Sequence, residues 1–196
     1  SASSPDVVRL HDLMLRKARR VCIKASPALE ISGLEAQLPA LSTVIAVSVA
    51  GECKEVLLLL DREHEAGRTP EVRAVCLGEA TFEIASFGDE PPARVVAETP
   101  SAWLYEPDAA IIKARLTGEL ARQLHLEFLN RTVDYLTSAR LVERFPGRSF
   151  RIEAYRSFRP KSFRKELAEL GITNAAIQRR DFPLSVEELR KRYKIG

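Results

Sequence analysis

The sequence predicts an α/β fold in two parts: an incomplete doubly wound sheet that ends in an antiparallel hairpin, followed by a smaller α/β domain. Short aliphatic runs rich in β-branched residues alternate with amphipathic helical patterns, which is typical of α/β proteins. The later runs of the N-terminal half are joined by short turns, as at the antiparallel edge of a doubly wound sheet. A stretch with three prolines, residues 87–100, separates the two parts.

The first strand of the chain predicts that part of its sheet lies elsewhere. A helix is expected from Asp6, its N-cap, to Arg20, and Val21–Ile23 then reads as a buried inner strand. Only residues 1–20 precede this strand, and they contain no glycine-rich cofactor loop. Parallel neighbours each need a crossover of about a dozen residues or more. We therefore expect the companions of this strand, and the chemistry they carry, to lie upstream of Ser1.

The remaining elements follow from apolar periodicity and turn residues. In the N-terminal half we expect strands at Thr43–Val49, Val56–Leu60, Val72–Leu77 and Ala80–Ser86, the last two forming the hairpin. In the C-terminal half we expect one or two helices in Pro107–Leu129, strands at Phe150–Phe158 and Ala175–Phe182, a helix at Pro160–Leu170, and a last helix capped by Ser185 and Glu188. The predicted organisation is a domain at 1–88, a linker at 89–100 and a domain at 101–196.

Composition narrows the class of protein. No run of eighteen apolar residues exists, so no membrane-spanning helix is predicted. Cys22, Cys53 and Cys76 lie in apolar runs, and we expect all three to be reduced, buried and small, as in a cytoplasmic protein. The three histidines have no partners at metal-ligand spacing, so no metal site is predicted.

Charge is distributed unevenly along the chain. From Arg140 onward there are 15 Lys/Arg against 7 Asp/Glu, a net charge of +8, and 11 of the 15 are Arg. Arginine favours bidentate phosphate contacts and base stacking, which indicates a nucleic-acid ligand. An ordinary solvated surface is the alternative. The candidate nucleic-acid-binding residues are Arg148, Arg151, Tyr155, Arg156, Arg159, Lys161, Arg164, Lys165, Arg179 and Arg180, with Tyr155 as the exposed stacking residue.

Several long segments together resemble one protein family. They are Ile23-Lys24-Ala25-Ser26-Pro27-Ala28-Leu29-Glu30-Ile31, Val47-Ser48-Val49, the run from Glu52 to Leu57, the run from Trp103 to Ala114, Phe145-Pro146-Gly147-Arg148, and the run from Arg180 to Arg190. In this order they resemble bacterial class I S-adenosylmethionine-dependent methyltransferases with a C-terminal THUMP-like domain. The resemblance implies a trailing half of a Rossmann-like methyltransferase sheet at 1–88 and a THUMP-like domain at 101–196.

The resemblance also implies a cofactor and a substrate. The intact enzyme would use S-adenosylmethionine and act on RNA, which the basic C-terminal domain would position. The family's glycine-rich cofactor loop and Asp-Pro motif are not found in this sequence, and the family's C-terminal end runs past Gly196. This chain alone is therefore expected neither to bind the cofactor tightly nor to catalyse methyl transfer. The alternatives are a non-catalytic nucleic-acid-binding module and a protein-interaction domain.

Lys24 and Ser26 are weak candidates for catalytic residues. They follow a predicted strand of the α/β sheet, where ligands of such sheets bind. They could then line the methyl-transfer cleft. Alternatively, Ser26 and Pro27 only begin the next turn, with serine as the cap.

Overall fold

A computed structural model describes residues 6–65, 67–87 and 90–196. The helices are α1 (Val7–Lys17), α2 (Leu34–Gln37), α3 (Ala109–Lys113), α4 (Thr117–Leu124), α5 (Phe163–Glu169) and α6 (Val186–Tyr193). The strands are β1 (Arg20–Ala25), β2 (Leu41–Val49), β3 (Glu52–Asp61), β4 (Glu71–Leu77), β5 (Phe82–Ala85), β6 (Trp103–Pro107), β7 (Glu127–Phe128), β8 (Leu136–Ser138) and β9 (Gly147–Arg151). No helix in the described part of the chain is long and apolar enough to span a membrane.

The strands form two sheets, which confirms the predicted α/β class. Sheet I has the order β1-β3-β2-β4-β5, and sheet II has the order β7-β8-β6-β9. In sheet I, β2 and β4 run parallel, whereas the other three pairs are antiparallel. The predicted antiparallel hairpin is β4–β5, and it lies at the edge of sheet I as expected.

The first strand is less enclosed than the sequence predicted. β1 pairs with β3 alone among the described strands, and its residues alternate between exposed and half-buried. Val21 and Ile23 are half-buried against the core of sheet I, and no described strand pairs with the other edge of β1. The sequence predicted a buried inner strand with parallel neighbours, whereas β1 is an edge strand that runs antiparallel to β3. Cys22 is exposed on this strand and Cys53 is half-buried, so only Cys76 fits the prediction of a buried thiol. All three thiols are free, and burial raises the pKa of Cys76 to about 12.

A tight turn between β2 and β3 fixes their register. Val49 pairs with Glu52, so Ala50 and Gly51 form a two-residue loop, and both have positive φ, at 50° and 82°. A two-residue hairpin of this kind needs left-handed backbone at both positions, which glycine adopts without strain. The sequence marked this break correctly at Gly51.

One hydrophobic core connects the two sheets. Its members come from sheet I (Ala46, Ala74, Cys76 and Ile84) and from the C-terminal half (Tyr105, Ile111, Leu120, Phe128 and Leu136). Residues of the predicted linker also pack on sheet II, since Phe128 donates to the carbonyl of Val95 at 2.8 Å and accepts from Ala97 at 2.9 Å. The domain boundaries stay a prediction, and residues 88 and 89, where they fall, lie outside the described residues.

After β9, residues 152–196 form a small aromatic cluster rather than a sheet. Phe158 contacts Phe163, Phe182 and Tyr193, with ring centroids 5.0, 5.0 and 5.9 Å apart. α6 begins with the predicted capping box between Ser185 and Glu188. The expected strand through Phe158 stops at Arg151, and residues 175–182 are not a strand.

Local backbone geometry explains the missing strand. Asp181 has a positive φ of 49°, which turns the chain, and Arg179 bonds to the carbonyl of Phe182 at 2.6 Å. The apolar side chains Ile177 and Phe182 pack on the aromatic cluster instead of lining a sheet face. The alternation of apolar and charged residues in this segment, which predicted a strand, is therefore present without strand pairing.

Glu119 on α4 provides a test of the core. Its side chain is 5% exposed, one carboxylate oxygen has no hydrogen-bond partner among the described residues, and burial raises its pKa. A carboxyl whose pKa is raised on folding stabilises the protein fully below its ordinary pKa, and this contribution is lost as pH rises through the folded value.

We expect Glu119→Gln to raise the free energy of unfolding at pH 8 by about 1 kcal/mol, because it removes a poorly solvated charge. The gain should shrink toward zero as pH falls below 4.5, the ordinary pKa of this carboxyl. Urea unfolding between pH 4 and 8 measures both quantities. Glu127→Gln, at an exposed carboxylate, is the control. A gain that does not change with pH would contradict the raised pKa.

Candidate nucleic-acid interface

A buried carboxylate organises the C-terminal half. Glu106 lies on β6 and is only 6% exposed, although it is charged. Its two oxygens contact two guanidinium groups: one bonds to Arg148 on β9, and the other lies 2.9 Å from Arg180. A buried carboxylate is tolerated when such partners replace its water. We call these three residues the Glu106 cluster.

The cluster carries more positive than negative charge. Two cations share one carboxylate, and the side chains of Arg148 and Arg180 are 59% and 50% exposed. Arg180 also lies over the ring of Tyr135, 5.8 Å from its centroid. Donors on both guanidinium groups therefore remain available to an anion at the surface.

The segment Phe145–Arg148 is shaped to bring Arg148 to this site. Phe145 packs on Tyr105 with ring centroids 4.8 Å apart, and the carbonyl of Pro146 accepts a bond from the backbone of Asp108 at 2.9 Å. Gly147 has a φ of 147°, and a Cβ there would lie 2.2 Å from the carbonyl oxygen of Glu106. Only glycine permits this close approach of β9 to β6.

The predicted basic residues separate into two groups. Arg148, Arg180, Arg151 and Lys165 have carboxylate partners, the last two being exposed pairs with Glu153 at 3.6 Å and Glu169 at 3.8 Å. Arg179 has no carboxylate within 4.0 Å among the described residues and donates to the carbonyl of Phe182 at 2.6 Å. Four others are exposed and likewise have no described carboxylate within 4.0 Å. These are Arg156, Arg159, Lys161 and Arg164, which we call the cationic strip. Four uncompensated cations within nine residues form a strong attraction for a polyanion.

The aromatic residues of this region also separate by environment. Phe158 and Phe163 belong to the aromatic cluster, so their role is in packing. Phe150 is 40% exposed and Tyr155 is 65% exposed. Tyr155 is therefore the most accessible aromatic ring near the cationic strip, in agreement with its predicted exposure.

Lys24 and Ser26 lie far along the chain from this surface, at the end of β1. Lys24 pairs with Glu55 at 3.1 Å, and Ser26 accepts a bond from the backbone of Ala28 at 3.2 Å. The second contact fits the alternative in which serine begins a turn. Both residues line a cavity of about 650 Å³ beside β1. β1 runs antiparallel to β3 rather than parallel as predicted, and the catalytic role of the two residues stays a prediction.

The cavity beside β1 does not by itself fit S-adenosylmethionine. The cavity beside β1 is bordered mainly by aliphatic side chains, and no glycine lies among its lining residues. The close backbone approach that a glycine-rich loop gives to a nucleotide-like cofactor is therefore missing there. Likewise, the described part of the chain holds no group of three His, Cys, Asp or Glu arranged for a metal ion.

The sequence did not identify Glu106 as a functional residue. It lies between Tyr105 and Pro107, which are both buried, so a solvated carboxylate is not expected at this position. An acidic residue inside an apolar strand was the available signal, because a buried charge requires a partner. Its partners lie 42 and 74 residues away, and spacing alone could not supply them.

We expect Glu106→Gln to lower the free energy of unfolding by about 2 kcal/mol, since it leaves two guanidinium groups without their shared anion. Urea unfolding measures the decrease, and hydrogen exchange should locate it in residues 175–182. Glu153→Gln is the control, because its pair with Arg151 is exposed and worth about 0–1 kcal/mol. Equal effects of the two substitutions would show that the cluster is not an anchor.

This chain resembles known proteins in its last fifty residues and in its fold. Residues 147–196 match the family model described as "THUMP domain-like". No curated protein matches the chain. A crystal structure from Porphyromonas gingivalis W83, described as a "putative methyltransferase", matches with a TM-score of 0.83 and 24% identity over 98% of this chain and 49% of that one. The chain thus spans about half the length of that protein and has the fold of the corresponding half, with a THUMP-like segment from β9 to its end.

Proposed function

We propose that this chain is part of an S-adenosylmethionine-dependent methyltransferase that acts on RNA, and that its C-terminal half positions the RNA. The observation that carries the proposal is the cationic strip, because it lies inside the segment that matches the THUMP-like family. The fold shared with the P. gingivalis protein supports the methyltransferase part. Three free thiols are consistent with a cytoplasmic location.

One edge and one face of sheet I support the presence of further protein in the intact enzyme. β1 has one partner among the described strands, and an unpaired edge favours the addition of another strand. The face of sheet I that carries Ile45, Val47, Leu57 and Leu59 is half-buried, although its residues are apolar. We infer that further protein covers this edge and face in the intact enzyme and supplies the cofactor site.

The RNA interface is polar and electrostatic. Exposed arginines bind phosphate through two parallel N–H bonds, which gives both affinity and orientation. The strip lies on an irregular segment and the start of α5, and the aromatic cluster beneath holds that segment in place. Structured or single-stranded RNA would therefore bind with a strong dependence on salt.

We expect this chain to bind RNA with an affinity that falls steeply as salt rises. Replacing the four residues of the cationic strip by Gln should flatten the slope of log K against log salt by about 0.7 for each phosphate of a single strand that the variant no longer neutralises. Fluorescence anisotropy at several salt concentrations measures the slope. Gln at Arg16 and Lys17, an exposed basic pair on α1, is the control. An unchanged slope in the strip variant would place the RNA surface elsewhere.

We expect Lys24→Ala to lower methyl transfer by the intact enzyme by about tenfold or more, without weakening RNA binding, if Lys24 lines the reaction cleft. Transfer of a labelled methyl group from S-adenosylmethionine to RNA measures turnover. Lys54→Ala, which removes an exposed lysine paired with Glu52, is the control. Unchanged turnover would leave Lys24 as a surface residue. Absence of transfer by unmodified intact protein would favour the non-catalytic nucleic-acid-binding module.

A further inference from the structure

A cavity between the β7–β8 loop and the aromatic cluster lies beside the Glu106 cluster, since Arg180 lines it. It has a volume of about 620 Å³, within the range of about 300–1,000 Å³ typical of small-ligand sites. Its inner wall is apolar and includes Val133, Phe158 and Ile177. The cavity is therefore larger than packing defects inside protein cores, which rarely exceed a water molecule.

The mouth of this cavity has a different chemistry from its wall. Tyr155 lies at the rim and is 65% exposed, which leaves its ring free to stack. Gln178 adds an amide, Arg179 and Arg180 add two guanidinium groups, and Glu98 adds one carboxylate, which leaves an excess of positive charge. The bond from Arg179 to the carbonyl of Phe182, at 2.6 Å, holds one of them at the rim.

This arrangement matches the parts of a nucleotide. A flat, apolar base fits a cavity with an aromatic ring at its entrance, and an amide can bond to the edge of the base. The phosphate that follows the base would meet the guanidinium groups of Arg179 and Arg180, which carry donors not used by Glu106. An aliphatic side chain of a protein partner would contact the apolar wall but would offer no acceptor to Arg179 or to the donors of Arg180 that Glu106 does not use.

We propose that this cavity binds one unstacked nucleobase of a single-stranded RNA segment, with Tyr155 stacking on the base and Arg179 and Arg180 holding its phosphate. This rests on the proposed function and adds to it: the cationic strip would bind backbone of any sequence, whereas the cavity would fix the register of one nucleotide. Fixing one nucleotide is what placement of a substrate atom requires.

The test uses this chain and a single-stranded RNA of about eight nucleotides, a length within the range bound by single-strand-binding modules. One copy carries 2-aminopurine at a central position, and a second has an abasic ribose there. We expect binding to quench or shift the 2-aminopurine fluorescence, and we expect the abasic RNA to bind about tenfold more weakly, in line with the worth of one stacked base.

Substitutions at the rim and in the wall separate the cavity from the strip. Tyr155→Ala should reproduce the tenfold weakening and abolish the fluorescence change, whereas Tyr155→Phe should keep both the affinity and the fluorescence change. Ile177→Trp should fill the cavity and remove the preference for an intact base without changing the salt slope. Arg156→Gln is the matched control, because it should lower the salt slope and leave the preference for the base intact.

The outcomes distinguish this inference from the proposed function. Equal affinity for intact and abasic RNA, with a steep salt dependence, would overturn the cavity's role and leave RNA binding standing. Binding of adenosine monophosphate that depends on Tyr155, without binding of RNA, would support a base site and overturn the RNA substrate. Failure of both ligands to bind would overturn both, and the cavity would then fit an apolar side chain of a protein partner.

Discussion

The ion pairs of Glu106 are the interaction on which the C-terminal half depends. Removing a carboxylate from water costs several kcal/mol unless partners of opposite charge replace the solvent. Arg148 arrives from β9, which is hydrogen-bonded to β6, but Arg180 arrives from a segment outside every sheet. Residues 175–182 are not held by pairing with a strand. The ion pair between Arg180 and the Glu106 carboxylate fixes their position instead. Packing of Ile177 and Phe182 on the aromatic cluster then sets which side chains face inward.

The same pairing gives the surface its chemistry. One carboxylate orients two guanidinium groups but neutralises only one of them, so the cluster is both an anchor and a source of positive potential. The cavity opens at Arg180, and the cationic strip continues on the adjacent irregular segment. Arg148 and Arg180 therefore both anchor the chain and present hydrogen-bond donors at the surface. If the proposed function holds, few additional side chains are needed to bind phosphate. It also couples stability to recognition, because a change at Glu106 alters both.

Local sequence predicted those elements whose causes are local. Strands β2 to β5 follow aliphatic runs, the turn after β2 follows Gly51, and α6 follows the capping box of Ser185. Pro107 was expected to begin a helix, but it ends β6, and Asp108 caps α3 instead. The environment of Cys22 and the path of residues 175–182 depend on neighbours distant in sequence. For the site, residue type predicted the exposed cations, whereas Glu106 and the cavity arise only when β6, β9 and the C-terminal segment meet.

The shared core bears on how an RNA-positioning half could serve a reaction site. A binding domain on a flexible tether raises local concentration but does not fix orientation. Here Ala46 and Ala74 of sheet I pack in the same core as Tyr105 and Ile111, and α3 lies against β2, β3 and β4. Sheet I and strand β6, which carries Glu106, are therefore joined through one core. Holding reacting groups close together in a productive orientation can supply about 7–11 kcal/mol of the barrier. A substrate held at the Glu106 cluster would lie at a fixed distance from the end of β1. The free energy needed to align that substrate would then come from the folding of this core.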